Sequence, residues 1–394
     1  MAGGCRPDSP AAGEAPATSA TTPNSPAPAG LEQYRYIRDR EGCYMAMGFT
    51  SAIGDFDQKE FDSLDTTAGI ASSYHRLRQK EQDARWLTSY LGWFEEDRMR
   101  AAVPVYRCRT QSWPDKLYDP RSWNLLGDAG GGCSPGNSLL VGGCADRRTG
   151  FHVDAVARTP ARLRSLLVEL ARHAVDEDRS LVFPYMYTDA RNALSAATED
   201  TIVWAALERE SHIFGLSDPQ WESTLPSKVR NTLRRDQRKI ADVPMTVSEA
   251  PWCEIETWAA ELIAEHNSLK GEPDRSEFVS FRYFDWQQNP AVDLMALTAQ
   301  SPGLRGVQTV LLWEDEMEVY EVGLPGEDSD ERFALYVNLL FHLPIQYARS
   351  RGIDHIRLGL RAETPKAARG AVFEDLHCGV LGPAETKRLA RGVS

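Results

Sequence analysis

Apolar and polar positions along this chain switch between two spacings, about 3.6 and 2 residues, and each switch predicts a change between helix and strand. Tyr74, Leu77, Trp86 and Tyr90 recur at helical spacing and predict a helix over 73–91. A turn at 95–98 leads into an alternating strand over 99–108, and the Gly-rich stretch 127–143 reads as a loop ending in a short strand, 138–141. A strand is expected over 151–157, then a helix over 159–176 with Thr159 as cap and Pro160 at its first position. A strand over 181–187, a helix over 190–197 capped by Asp189 and a strand over 201–207 complete the first half.

The second half repeats this rhythm. Helices are predicted over 226–240, 251–267 and 276–288, with Trp258, Leu262 and His266 four apart on one face of the middle one. Strands are predicted over 245–249 and 294–299, and 307–313 and 317–324 form a hairpin about the turn at 314–316. A helix over 330–351, interrupted near Pro344, precedes a strand over 355–359. The stretch 31–65 gives no assignment. Hairpins mixed with crossover helices imply an α/β (α+β) chain with mixed sheets. Two domains, 31–209 and 210–394, are expected behind a tail, 1–30, whose Ala, Pro, Ser, Thr and Gly composition predicts disorder.

Composition narrows the function. Of 394 residues, 42% are hydrophobic, enough for a core that needs neither disulfides nor a structural metal. Forty-four Lys and Arg against 57 Asp and Glu leave a net charge of −13, so any polyanion must find a local basic patch. No apolar run approaches the length of a membrane span, and the first 30 residues lack the basic start and apolar core of a signal peptide. The seven cysteines are scattered and form no CxxC pair, which fits a reducing cytoplasm and opposes a thiolate metal site. HExxH, HxH and GxSxG motifs are missing, so no metal and no serine elbow are implied, and the Gly-rich loop lacks the Lys-Ser/Thr of a P-loop.

Three stretches resemble the Fem-like branch of the GNAT acyltransferase superfamily: LPSKVRNTLRRDQRKI at 225–240, AAVPVY at 101–106, and the closing pattern at 348–370 with Lys366, Arg369 and Gly370 in K-x-x-R-G. The resemblance covers roughly 65–380. It implies two tandem GNAT-like domains and transfer of an acyl or aminoacyl group to an amine, often from aminoacyl-tRNA, in cell-wall bridges or natural-product assembly. By that similarity Lys366 stabilises the oxyanion formed when an amine attacks an ester or thioester, and Arg369 binds phosphate or orients the donor. A cationic pair exposed after a strand is the plainer account of both.

The remaining candidates come from residue chemistry. Arg230, Arg234 and Arg238 recur every four residues on one helix face and suit phosphate; a solvated linker helix explains them equally. Glu321, on the strand that matches the central GNAT strand, is the candidate base, with Glu318 and Tyr320 expected on one face and Glu321 on the other. His266 is a second candidate base, or a packed histidine. Lys270, Arg275, Arg282 and Tyr283, with Asn267 and Tyr320, could line the acceptor pocket. Trp113, Asp115, Lys116, Tyr118 and Asp119 could stack on a substrate or wall the core. Nine acids fall between Glu314 and Glu331, including Asp328, Asp330 and Glu331 where a GNAT loop would cradle the CoA pyrophosphate. Aminoacyl-tRNA is therefore the expected donor, with tRNA as partner, a small-molecule or peptide amine as acceptor, and no cofactor or membrane. Acyl-CoA or a carrier protein is the alternative donor, and a non-catalytic binding protein on a degenerate transferase fold is the alternative in another class.

Overall fold

The computed structural model describes residues 33–38, 44–64, 67–326 and 329–392; the expected disordered tail and Asp328 lie outside them. Among the described residues fourteen strands form one sheet. The first half supplies β1 (Gln33–Arg38), β2 (Tyr44–Thr50), β3 (Trp86–Glu95), β4 (Arg98–Cys108), β5 (Ser138–Val141), β6 (His152–Val153), β7 (Ser180–Tyr187) and β8 (Val203–Ile213). The second supplies β9 (Thr246–Pro251), β10 (Asp293–Gln300), β11 (Arg305–Trp313), β12 (Glu316–Gly323), β13 (His355–Leu360) and β14 (Val372–Leu381). Their order is β1-β2-β3-β4-β5-β7-β14-β8-β13-β12-β11-β10-β9, with β6 beside β4.

That order contains an internal symmetry. Outward from the β14–β8 junction, β7, β5, β4, β3 and β2 on one side meet their neighbours in the senses antiparallel, parallel, antiparallel, antiparallel, antiparallel. On the other side β13, β12, β11, β10 and β9 follow the same series. The two halves are tandem copies of one strand pattern, and they exchange a strand: β14 lies between β7 and β8, while β8 lies between β14 and β13. The strands thus join in one continuous mixed sheet in place of two. Residue 210 lies inside β8.

Each half buries a helix on the sheet. In Pro160–Asp176 the positions Leu163, Leu166, Leu167, Leu170, Ala171 and Ala174 fall on one stripe and pack with Val103, Val105, Leu181 and Phe183. Thr159 precedes it and Pro160 opens it as expected, but the Thr159 side chain makes no capping bond. In the second half Phe341, Ile345 and Ala348 cover Val310, Met317, Val319, Ile356 and Leu358. Ala259, Ala260 and Ile263 of the helix Trp252–Leu269, with Val279 and Tyr283 of Ser276–Gln287, cover Ala296 and Val307 on the opposite face.

Several predicted elements shift. The helix expected over 73–91 is a short helix, Tyr74–Lys80, followed by β3. The 151–157 strand shrinks to two residues. The long second-half helix is interrupted near Pro344 as expected: a π-helical turn, Asn338–His342, separates Asp330–Val337 from Leu343–Ser350, which carries Pro344 in its first turn. Among the described residues no helix is long and apolar enough to cross a membrane.

Candidate active site

Two pairs of neighbouring strands run parallel in this sheet, β5–β7 and β12–β13, and at each the pair parts. β12 pairs with β13 only where 316–318 meet 355–357. Beyond that, β12 stays on β11 as far as Gly323 and β13 stays on β8 as far as Leu360, so an opening forms between them. The matching gap after β5 and β7 is filled from within. Thr149 donates its N–H to the Tyr185 carbonyl (3.3 Å) and its hydroxyl to that of Pro184. The second-half opening is bordered by the ends of β12 and β13 and by Lys366.

Lys366 stands at its edge. Left-handed Arg361 and Ala362 (φ 61° and 52°) turn the chain out of β13 into the short helix Glu363–Ala367. This aims the Lys366 ammonium back at the strand end, where it donates to the carbonyls of Gly359 (3.0 Å) and Leu360 (2.9 Å), leaving one N–H over. Lys366 is 7% exposed. Burial pushes it down to about 8; Glu210 opposes that shift and Lys270 adds to it.

Glu321 enters from β12 through a β-bulge. Val322 faces Gln308 and Val319 faces Val310, so Tyr320 and Glu321 together oppose Thr309. Thr309 Oγ1 accepts from the Glu321 N–H (3.0 Å), and Gln308 Nε2 donates to the Glu321 carbonyl (2.9 Å), which pins the bulge. The bulge corrects the alternation expected for this strand. Tyr320 packs on Tyr283 and Trp286 while Glu321 accepts from Arg282 (2.8 Å) and Asn267 (3.4 Å), so both face the same pair of helices. The inserted residue restores one face for two successive side chains. Glu321 Oε2 is left without a hydrogen-bond partner. Arg282 bridges Glu321 and Asp274 (2.7 Å), and Asn267 also reaches Asp274 (3.0 Å).

Other candidates lie elsewhere. His266 is buried beneath the end of β12, with neither ring nitrogen bonded; burial, with Lys270 and Arg332 adding to it, pushes it down to about 4. Enclosed in this way, His266 is the packed histidine that was the other expectation for it. Tyr283 is fully buried, stacked on Trp252 (3.9 Å) with its hydroxyl on Thr309 Oγ1 (2.6 Å), and supports the bulge from below in place of lining a pocket. Arg275 is exposed over a shallow depression with Glu261, Glu265 and Glu277, and Lys270 is exposed at the end of its helix. Trp113 and Tyr118 wall the first-half core, and Asp115 and Asp119 cap short turns.

The basic helix is Ser227–Ala241. Arg234 and Arg238 are exposed, whereas Arg230 is half-buried with its guanidinium on the carbonyls of Ser223 (3.1 Å) and Leu225 (2.5 Å). Arg369 is turned inward: it is 5% exposed, paired with fully buried Asp236 of that helix (2.7 Å) and laid over Phe341. It ties the Lys366 segment to the basic helix and is not placed to meet phosphate. Gly370, at φ 95°, packs on Leu225 and Trp221, a conformation that favours glycine. In the acidic join, Asp330 pairs with Lys239 (3.4 Å) and Glu331 accepts from the Gly303 N–H (3.1 Å), so both acids have partners within the protein.

One feature escaped the sequence reading. Beneath the opening, Arg148 bridges Glu210 (2.9 Å) and Glu318 (2.5 Å). Arg357 bridges Glu210 (3.2 Å) and Glu316 (2.8 Å) and donates to Tyr187 Oη (3.0 Å) and the Thr67 carbonyl (3.0 Å). Tyr187 also bonds Glu210, and His355 joins His212 (3.0 Å) to Glu316 (2.9 Å). The local signal was a charged residue inside an apolar strand, as Arg357 is in HIRLGL. Among the described residues no His, Cys, Asp and Glu group could hold a metal ion.

No family model and no curated relative matches the sequence. Among solved structures, FemX is 10% identical, with a TM-score of 0.55 over 82% of this chain and 96% of that one. The fold is that of FemX. A tandem GNAT protein from the clavulanic acid biosynthesis pathway is similar at 11% identity and TM-score 0.49, over 86% of this chain and 99% of its own. The C-terminal domain of a putative lysylphosphatidylglycerol synthetase from Agrobacterium fabrum gives 10% and 0.46, over 74% and 83%. The Fem-like resemblance expected from three motifs thus holds at the level of fold.

Proposed function

We propose that this chain is an acyl- or aminoacyltransferase that forms an amide in the opening between β12 and β13. The observation that carries this reading is the ammonium of Lys366, buried at the edge of a parted parallel strand pair with one N–H to spare. An amine attacking an ester or thioester carbonyl forms a C–N bond and pushes charge onto the carbonyl oxygen. Lys366 donates to that oxyanion, the C–O or C–S bond breaks as it collapses, and the nitrogen loses its proton to Glu321, directly or through water. Holding both substrates in the opening supplies much of the acceleration.

The donor proposed is aminoacyl-tRNA. Arg234 and Arg238 stand exposed on a helix that the Arg369–Asp236 pair joins to the Lys366 segment, so a polyanion lying along the helix brings its acylated end toward Lys366. Acyl-CoA is the second reading, because Asp330 is paired with Lys239 and Glu331 is held by the Gly303 N–H, so that neither carboxylate is aimed freely at a pyrophosphate. The test is a donor competition. Protein, a mixture of amines and either charged tRNA or acetyl-CoA are incubated, and new amides are sought by mass spectrometry. A product abolished by ribonuclease supports the tRNA reading; one that survives it and needs CoA overturns that donor. Changing both Arg234 and Arg238 to Glu is expected to raise KM for charged tRNA at least tenfold, with a shallower salt dependence, and to leave urea unfolding unchanged.

A further inference from the structure

We infer that strand β8, lent by the first half to the sheet of the second, holds Lys366 in place and in its ammonium form, with Ser211 and Glu210 as positioning residues. This rests on Lys366 being the oxyanion donor proposed above. In the sheet, Ser211 is the register partner of Gly359 and Glu210 that of Leu360. These are the two residues whose carbonyls receive Lys366 Nζ. The Ser211 hydroxyl donates to the same Gly359 carbonyl, so one oxygen is fixed by β8 from one side and takes the lysine from the other. A register shift between Arg357 and Gly359, with Gly359 at φ 71°, turns that carbonyl out of the ladder.

Glu210 is fully buried, between Arg148 and Arg357, and Tyr187 and His212 also face it. Among the charges near Lys366, Glu210 of β8 and Glu363 of its own helix favour the ammonium and Lys270 opposes it, while Arg148 and Arg357 flank Glu210. Burial drives the lysine toward the neutral amine; Glu210 is the leading group that resists, and it comes from the other half of the chain. The proposed transfer site therefore cannot be completed by the second half alone.

The test follows Lys366 itself and needs no turnover. Full-length protein is labelled with ¹³C,¹⁵N-lysine, the Lys366 side-chain signal is assigned with Lys366→Arg, and its titration is recorded by NMR. The wild-type midpoint is expected at about 8. In Glu210→Gln the midpoint is expected to fall by about one pH unit. Ser211→Ala keeps the charge and is expected to leave the midpoint in place while lowering kcat without raising KM. If Glu210→Gln does not fold, Ser211→Ala decides alone: a folded Ser211→Ala protein whose kcat is unchanged overturns the inference. A Lys366 midpoint unmoved in a folded Glu210 variant overturns the inference. A midpoint that moves while the pH limb of the transfer rate stays put upholds the link between β8 and Lys366 and overturns the assignment of Lys366 as donor.

Discussion

Replacing Lys366 with Met lowers kcat for amide formation by about 10²–10³-fold, the usual loss when one donor to an oxyanion is removed, while substrate KM changes little. The ammonium acts on charge that exists only in the transition state, so its removal takes from the rate and not from ground-state binding. Arginine does not substitute. Its planar fork cannot converge on the Gly359 and Leu360 carbonyls as a tetrahedral ammonium does. The pH dependence follows from the same residue. Lys366 donates only when protonated and burial brings it down to about 8, so the rate falls as pH rises through about 8 and is at its plateau below. In Lys366→Met that alkaline limb is absent from the residual rate. Single-turnover rates across pH 6–10 on both proteins check this, with circular dichroism to establish that the variant is folded.

The second large effect is on stability. Arg357→Ala is expected to destabilise the protein by about 3–5 kcal/mol, because it leaves buried carboxylates without their shared cation. Arg357 is 5% exposed and serves Glu210, Glu316, Tyr187 and the Thr67 carbonyl at once. Those partners belong to both halves, so the loss loosens the junction between them and not one helix. Burial alone would raise Glu316, but hydrogen bonds from His355 and Arg357 outweigh it and hold it at about 2. Its folded value lies below its unfolded one, so the stability it contributes is present above pH 4.5 and is lost as pH falls through about 2. Without Arg357 the folded value moves up toward the unfolded one, so Glu316 contributes less stability and its acid loss ends at a higher pH. Urea unfolding at pH 7 and at pH 4 reads both effects, and an Arg357→Ala protein as stable as wild type at pH 7 contradicts this account of the junction.

The local elements were legible where periodicity and punctuation agreed, as at Thr159–Pro160 before a leucine stripe, or at the hairpin of β11 and β12. They were not legible where an apolar run fits either period. WLTSYLGWF is buried along both faces of β3, so Trp86 and Tyr90 read as a continuation of the helix that carries Tyr74 and Leu77. The exchange of β8 and β14 leaves no local trace, because strand partners distant in sequence are chosen by the whole sheet. The chemistry divided in the same way. As candidates, Lys366 came from its motif and Glu321 from its strand. The bulge that turns Glu321 beside Tyr320 depends on Thr309 and Gln308 across the ladder, and the inward turn of Arg369 depends on Asp236, 133 residues away. Spacing alone reports neither.

The central claim is that transfer takes place in the opening between β12 and β13. The most direct test is a crystal structure with a non-hydrolysable amide analogue of an aminoacylated adenosine, the acylated end of the proposed donor. The account predicts its carbonyl oxygen within hydrogen-bond reach of Lys366 Nζ and its adenosine on the side of the basic helix. An analogue bound in the first half, or one bound in the second half out of reach of Lys366, would contradict it.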